Sequence, residues 1–297
     1  MFRLGAKGLS KPEIQHFYDA TTATLSYVVF DQPGGHAAVI DCVLGYSPVS
    51  GRTDTAPSDV VLACLHEQQL TLTWILETHA HADHLSGAQY VKAKTRGTAR
   101  IAIGRGIRDV QAHFAPLYNF ATDFKSDGHQ FDRLFANGDV FEIGTLECEV
   151  IATPGHTSDS VSYRIGSHVF VGDSLFMPDY GTARCDFPGG DADVLFDSLQ
   201  RLLSLPADTR LYMCHDYKPG GRDLRYVCTV AEQQQDNIHI KAGVSRAEFI
   251  AMRAARDATL NLPALIVPSI QVNIRAGQLP DAENNGIVYL KTPVDTF

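Results

Sequence analysis

The sequence lacks the features that mark several classes of protein. Its 297 residues hold 25 lysines and arginines against 34 aspartates and glutamates, a net charge of −9. It therefore shows no basic stripe of the kind expected in a nucleic-acid-binding protein. No apolar run approaches the 18 residues that suggest a membrane-spanning helix. These absences predict a globular protein with neither a nucleic-acid nor a membrane partner.

The N-terminal residues and the cysteines give two further expectations. Residues 1–15 have no apolar core of a secretion signal, and although mildly basic they lack the Arg and Ser enrichment of a transit peptide. The six cysteines are scattered along the chain, without the close spacing of a small stapled domain. We therefore expect reduced thiols and a cytoplasmic location. The length and the 44% hydrophobic content suit one large domain, or one domain with an appendage.

Metal-binding side chains are concentrated in the motif His79-Ala80-His81-Ala82-Asp83-His84. The motif follows an apolar run, Leu72 to Leu76, whose length and composition predict a buried strand. Ligand sites in α/β proteins usually lie at such strand ends, and histidine and aspartate are standard ligands for Zn, Fe and Mn. Twelve histidines in the chain make chance pairs common, but this motif is denser than scatter would produce. It predicts a metal site rather than a polar turn.

The remaining sequence predicts a coarse order of elements. The runs 25–30 and 37–41 read as a hairpin, and Asp41 at its end is either a turn former or a partner that orients a metal-bound histidine. Helices are expected over 58–69, directly after His84, over 194–205 and over 246–260, with irregular chain from there to Phe297. Asn137-Gly138-Asp139 predicts a hairpin turn. Segment 105–134 is either a helix and flap at the substrate mouth or a peripheral insertion.

Three more candidate ligands stand at the ends of strand-like runs. His156 lies in the loop Thr153-Pro154-Gly155-His156-Thr157, Asp173 follows a Gly after Val169–Val171, and His215 ends the run 210–214. With the first motif they make seven candidates: His79, His81, Asp83, His84, His156, Asp173 and His215. Strand ends at one edge of a sheet converge in space, so we expect the seven side chains to meet.

This ordered set of motifs resembles the metallo-β-lactamase superfamily. The resemblance spans residues 79–215 and implies an α/β fold, the αββα sandwich, with a catalytic domain over 1–240. Residues 241–297 would then be a short C-terminal extension packed on the same domain. Within the superfamily, Gly172–Phe176 followed by Gly181–Phe187, and the tail from Leu262 to Asn273, resemble the persulfide dioxygenase branch.

The branch resemblance implies a chemistry and a set of roles. It implies one Fe(II) per chain held by His79, His156 and Asp173, a facial set that leaves three positions open. His81, Asp83, His84 and His215 would be supporting groups or ligands of a second metal. The implied reaction oxidises glutathione persulfide with O₂ and water to sulfite and glutathione, with a homodimer left open as the assembly. The residues implied for glutathione binding are Arg184, Tyr217, Lys218, Arg222 and Arg225.

Two alternatives stay open on the sequence. The first is a binuclear hydrolase that resembles glyoxalase II and cleaves glutathione thioesters, because the seven candidates could complete two metal sites. The second is a non-catalytic binding or sensor module in which the metal is structural. Counting ligands alone does not separate these alternatives from the dioxygenase.

Overall fold

Two β-sheets stacked face to face form the centre of the protein. The computed structural model describes residues 11–120 and 124–296, so most of the N-terminal segment considered for targeting lies outside the described residues. The strands are β1 Glu13–Asp19, β2 Thr24–Phe30, β3 His36–Ile40, β4 Val43–Ser47, β5 Arg52–Asp54, β6 Thr71–Leu76, β7 Leu85–Ser86, β8 Arg100–Gly104, β9 Arg133–Phe135, β10 Val140–Ile143, β11 Leu146–Ala152, β12 Val161–Ile165, β13 His168–Phe170, β14 Arg210–Tyr212 and β15 Val227–Thr229. The helices are α1 Ala56–Glu67, α2 Ala88–Lys94, α3 Ile107–Leu117, α4 Ala192–Leu203, α5 Val230–Asp236, α6 Arg246–Asp257 and α7 Ile266–Asn273.

Each large sheet has six strands and a simple order. The first runs β1-β2-β3-β6-β8-β9, antiparallel through β3 and parallel from β3 to β9. The second runs β10-β11-β12-β13-β14-β15, and only its β13–β14 pair is parallel. A small ribbon, β5-β4-β7, lies beside them.

Alternating side chains bury both faces of the first sheet. In β2, Leu25 and Tyr27 belong to the apolar core between the sheets, whereas Val28 and Phe30 belong to a second core on the outer face. The outer core contains apolar side chains of α1, α2, α3 and α7. Side chains of α4 and α6 cover the second sheet in the same way. Two sheets between two helical layers are the predicted αββα sandwich, which is confirmed.

Two local predictions were wrong. The helix expected directly after His84 begins at Ala88, because Leu85 and Ser86 first pair with β4 as a short strand. Asn137-Gly138-Asp139 does not close a hairpin, since β9 belongs to the first sheet and β10 to the second. The turn therefore carries the chain from one sheet to the other.

The C-terminal part of the chain is more regular than expected. Helix α7 occupies a stretch predicted to be irregular, and Ile266, Ile270 and Ile274 pack into the outer core of the first sheet. Segment 105–134 contains α3, and its Phe114 and Phe131 pack into the same core. Its described residues do not line the cavity reported below, which favours the peripheral insertion.

The expectations of reduced cysteines and of no membrane-spanning helix can be compared with the described residues. All six cysteines are buried and none forms a disulfide there. None of the helices in the described ranges is long and apolar enough to cross a membrane.

Candidate metal centre

The seven candidate ligands meet where strands of both sheets end. The motif His79–His84 follows β6, His156 follows β11, Asp173 follows β13, and His215 follows β14. All are buried except Asp83, whose side chain is 25% exposed. The structure therefore brings together every side chain that the sequence singled out as a metal ligand.

His79, His156 and Asp173 form the first of two groups. One ligand atom from each lies within 4.8 Å of the others. Oδ2 of Asp173 is 3.9 Å from Nε2 of His79 and 3.7 Å from Nε2 of His156. Two imidazoles and one carboxylate facing one point are a ligand set for a divalent metal ion.

His81, Asp83, His84 and His215 form the second group, with the same 4.8 Å limit between their ligand atoms. Oδ2 of Asp83 is 3.2 Å from Nε2 of His215. Asp173 faces this group as well, because its Oδ1 is 3.4 Å from Nε2 of His215. Asp173 thus lies between the two groups and presents one oxygen to each.

Hydrogen bonds orient the two histidines of the first group. Nδ1 of His156 donates to the carbonyl oxygen of Arg184 at 2.8 Å. Nδ1 of His79 lies 3.1 Å from Oγ1 of Thr78, and that hydroxyl donates to Oδ2 of Asp41. When one ring nitrogen is engaged in this way, the other is left to bind a metal. In both rings it is Nε2 that faces Asp173.

Asp41 also holds His81, so it orients metal-site histidines rather than forming a simple turn. Its backbone has a left-handed φ of 50°. The carboxylate accepts from the Thr78 amide at 2.7 Å and from Nε2 of His81 at 3.0 Å. Burial opposes a charged ring, but Asp41 and Glu77 outweigh it and raise the pKa of His81 well above its ordinary value.

Thr24 is a functional contact that sequence reasoning missed. Its Oγ1 lies 3.3 Å from Nδ1 of His84 and 3.4 Å from Nδ1 of His215, which leaves Nε2 of each ring for the second group. A threonine that begins a strand carries no local signal for such a role. Its contacts are 60 and 191 residues away along the chain.

The second group fits a metal ion because buried polar atoms of its residues and of Asp173 converge there without hydrogen-bond partners. Within the described ranges, these atoms are Nδ1 of His81, Oδ2 of Asp83, Nε2 of His84, Oδ1 of Asp173 and Nε2 of His215. An unsatisfied buried polar atom costs about 1–3 kcal/mol, so five in one place call for a cation. Burial and the neighbouring imidazoles hold the pKa of His79 well below its ordinary value, which keeps the ring neutral for binding.

A cavity of about 530 Å³ opens beside the first group and is lined by His156, Asp173, Arg184 and Tyr217 among others. The guanidinium of Arg184 pairs with both carboxylate oxygens of Asp186 at 2.6 Å and donates to the carbonyl of Asn261. Tyr217 stacks on His215, with ring centroids 5.6 Å apart. Of the five residues implied for glutathione binding, only these two line the cavity.

The other three basic residues lie elsewhere. Arg222 forms ion pairs with Asp179 and Asp216. Arg225 lies 3.8 Å from a carboxylate oxygen of Glu232, and the Lys218 ammonium lies 5.0 Å from the centre of the Tyr18 ring. A role for them in substrate binding stays a prediction.

Arg256 is a cavity residue that the sequence did not indicate. It is exposed and lines the cavity from α6, and within the described part of the chain its guanidinium forms no hydrogen bond or ion pair. Its position in a helix 83 residues after Asp173 gives no local signal. Its guanidinium is available to an anionic ligand, whereas that of Arg184 is paired with Asp186.

Similarity to known proteins agrees with this architecture. The chain is 50% identical over 294 residues to a probable metallo-hydrolase of Burkholderia pseudomallei, covering 96% of this chain and 99% of the relative. It is 49% identical to glyoxylase B2 of Dictyostelium discoideum, with 96% and 98% covered. It is 28% identical to the human mitochondrial persulfide dioxygenase ETHE1, with 91% of each chain covered.

Structural comparison leads to the same family. The crystal structure of ETHE1 from Myxococcus xanthus superposes with a TM-score of 0.71 at 32% identity, covering 90% of this chain and 100% of that one. Residues 21–215 match the family model of the metallo-beta-lactamase superfamily. That range contains all seven candidate ligands. The chain therefore belongs to the metallo-β-lactamase superfamily.

Proposed function

We propose that the protein is a persulfide dioxygenase, which oxidises glutathione persulfide at a single Fe(II). The observation that carries the proposal is the group of two imidazoles and one carboxylate formed by His79, His156 and Asp173. This is the ligand type of non-haem Fe(II) oxygenases, which keep coordination positions open. The similarity to proteins named ETHE1, at 28% and 32% identity, supports the same choice.

The protein's part in the reaction is to hold ligands and position the substrate. Bound Fe(II) would supply coordination for sulfur and O₂ and the redox chemistry. One persulfide, one O₂ and one water account for the glutathione and the three sulfite oxygens. The Arg184 carbonyl and Thr78 keep Nε2 of His156 and His79 directed at the site. A substrate sulfur held beside these ligands gains the advantage of a fixed geometry.

The cavity suits a tripeptide with a reactive sulfur and carboxylates. Phe176, Tyr180 and Phe187 line its wall and limit water around the sulfur. Arg256 provides a cation for a glutathione carboxylate, because an arginine can donate two parallel hydrogen bonds to such a group. Arg184, already paired with Asp186, contributes less charge to the ligand.

The experiment that tests the proposal combines metal analysis with oxygen consumption. The full chain is purified anaerobically, its iron and zinc are measured, and O₂ uptake is followed with glutathione persulfide. We expect one iron per chain and uptake of one O₂ per sulfite formed. Loss of persulfide without O₂ uptake would contradict the proposal.

A second candidate function is a glyoxalase II-like thioesterase with two metals. The observation that favours it is the second group, in which Asp83, His84 and His215 present unsatisfied buried atoms beside Asp173. The relative named glyoxylase B2 agrees with it. Two metals per chain and hydrolysis of S-lactoylglutathione would select this function.

A further inference from the structure

Helix α7 lies outside the residues that match the family and reaches the metal centre. The family match ends at residue 215, and α7 covers Ile266–Asn273. Its last residue, Asn273, is only 4% exposed. The side chain points at the loop that carries the histidine motif.

Both polar atoms of the Asn273 side-chain amide form hydrogen bonds with the main chain of that loop. Nδ2 donates to the carbonyl of His81 at 2.7 Å and to the carbonyl of His84 at 2.8 Å. Oδ1 accepts from the Ser86 amide at 2.8 Å. The three bonds clamp the two ends of the stretch between His81 and Ser86, which contains Asp83.

Ser86, which binds Asn273, also contacts the buried carboxylate of Glu77 beside the His81 ring. The Ser86 hydroxyl donates to Oε1 of Glu77. Oε2 of Glu77 lies 3.6 Å from Nε2 of His81, on the side where Asp41 also binds the ring. Asn273 therefore constrains His81 in two ways. It binds the backbone carbonyl of His81 directly, and through Ser86 it helps to hold the Glu77 carboxylate that lies beside the His81 imidazole.

We propose that Asn273 is a positioning residue of the metal centre, so that residues 241–297 are a working part of the site rather than an appendage. The inference rests on the proposed function only in requiring that the seven-residue cluster binds a metal. It does not depend on which reaction follows. Residues that orient metal ligands from outside the coordination sphere typically change metal affinity about 10–100-fold when mutated.

The chain offers a closely matched control two residues away. Gln271 lies on the same helix, is fully buried, and also forms three side-chain bonds to main chain, with Val267 and twice with Lys291. Those bonds hold the C-terminal tail and not the histidine loop. N273A and Q271A each remove three such bonds and add no charge.

The experiment measures Co(II) binding to both full-length variants by chelator competition and visible absorption. We expect N273A to bind Co(II) about 10–100-fold more weakly and to change its absorption bands. Q271A should stay within about twofold of the wild type with unchanged bands, even if both variants melt at lower temperature. Hydrogen exchange should show faster exchange of the Ser86 amide in N273A alone.

Two outcomes would overturn the proposal. One is unchanged Co(II) affinity in N273A, and the other is an equal loss in Q271A. If N273A does not fold, N273S replaces it in the same comparison. A wild-type protein that binds Co(II) but takes up no O₂ with persulfide would reject the dioxygenase and leave this test intact.

Discussion

The Oδ1 atom of Asp41 lies 3.0 Å from Nε2 of His81. Oδ2 of the same carboxylate accepts from the Thr78 hydroxyl, which in turn contacts Nδ1 of His79. One carboxylate at the end of β3 thus orients two histidines in the loop after β6. The arrangement is possible because β3 and β6 are parallel neighbours, which brings their C-terminal ends together.

Replacing Asp41 with Asn should weaken both metal binding and folding. Asparagine tolerates the left-handed backbone at this position and keeps the side-chain shape. It removes the charge that His81 and Thr78 use, so metal affinity should fall about 10–100-fold. The free energy of unfolding should fall by about 1–3 kcal/mol. Chelator competition and urea unfolding measure the two effects, and wild-type affinity in D41N would contradict the role given to Asp41.

Metal content of D83N and D173N separates the two candidate functions. With one metal in the first group, D83N should keep one ion per chain, while D173N should lose most of it because Asp173 belongs to that group. With two metals, D83N should fall from two ions to one. Elemental analysis after anaerobic purification decides this, and persulfide-dependent O₂ uptake in D173N should drop at least about 100-fold.

Arg256 in the cavity wall and Arg222 outside the cavity should respond differently to replacement by Met. R256M should raise KM for glutathione persulfide about tenfold with little change in kcat, because Arg256 lines the cavity without an internal partner. R222M should instead cost about 3 kcal/mol of stability, since it leaves the buried Asp216 carboxylate without its ion-pair partner. Steady-state kinetics and thermal unfolding test both. A raised KM in R222M with normal stability would support the sequence-based role of Arg222.

His239 should make stability depend on pH in the acidic range. Its Nδ1 accepts from the Thr182 amide at 2.9 Å, and burial with nearby Arg253 lowers its pKa to about 4. As the pH falls, the His239 imidazole is protonated in the unfolded chain at a higher pH than in the folded protein. The free energy of unfolding should therefore fall as the pH drops from about 6.5 towards about 4, by at most about 1.4 kcal/mol per pH unit. H239N keeps an acceptor without the titration. Urea unfolding at pH 7, 6 and 5 should show a shallower decline in H239N, and equal slopes would contradict this.

Much of the metal centre could be predicted from local sequence. Metal ligands in α/β folds lie just after the ends of strands, and a short apolar run such as Leu72–Leu76 predicts a strand. The histidine motif, the loop around His156 and the positions of Asp173 and His215 all follow such runs. The side chains then converge because the strands lie side by side in two stacked sheets.

Contacts made by ordinary polar residues could not be predicted. Thr24 belongs to no motif, and Asn273 drew attention only as the end of a tail that resembles a family branch. Their partners at the metal centre are 60 or more residues away along the chain. Helix α7 was missed because Pro268 within it, Pro263 before it and a mixed pattern are typical of loops, whereas tertiary packing of Ile266 and Ile270 stabilises the helix. Arg184 pairs with Asp186 only two residues away, so that ion pair was open to local sequence reasoning, whereas nothing local indicated that Arg256 lines the cavity.

The sequence by itself determined which residues could bind a metal and that these residues lie at the ends of strands. Both are properties of short segments. Only the tertiary structure decided how each imidazole is oriented and which arginine faces the cavity. Those outcomes depend on hydrogen bonds and ion pairs between distant segments, which exist only once the sheets and the C-terminal helices have packed together.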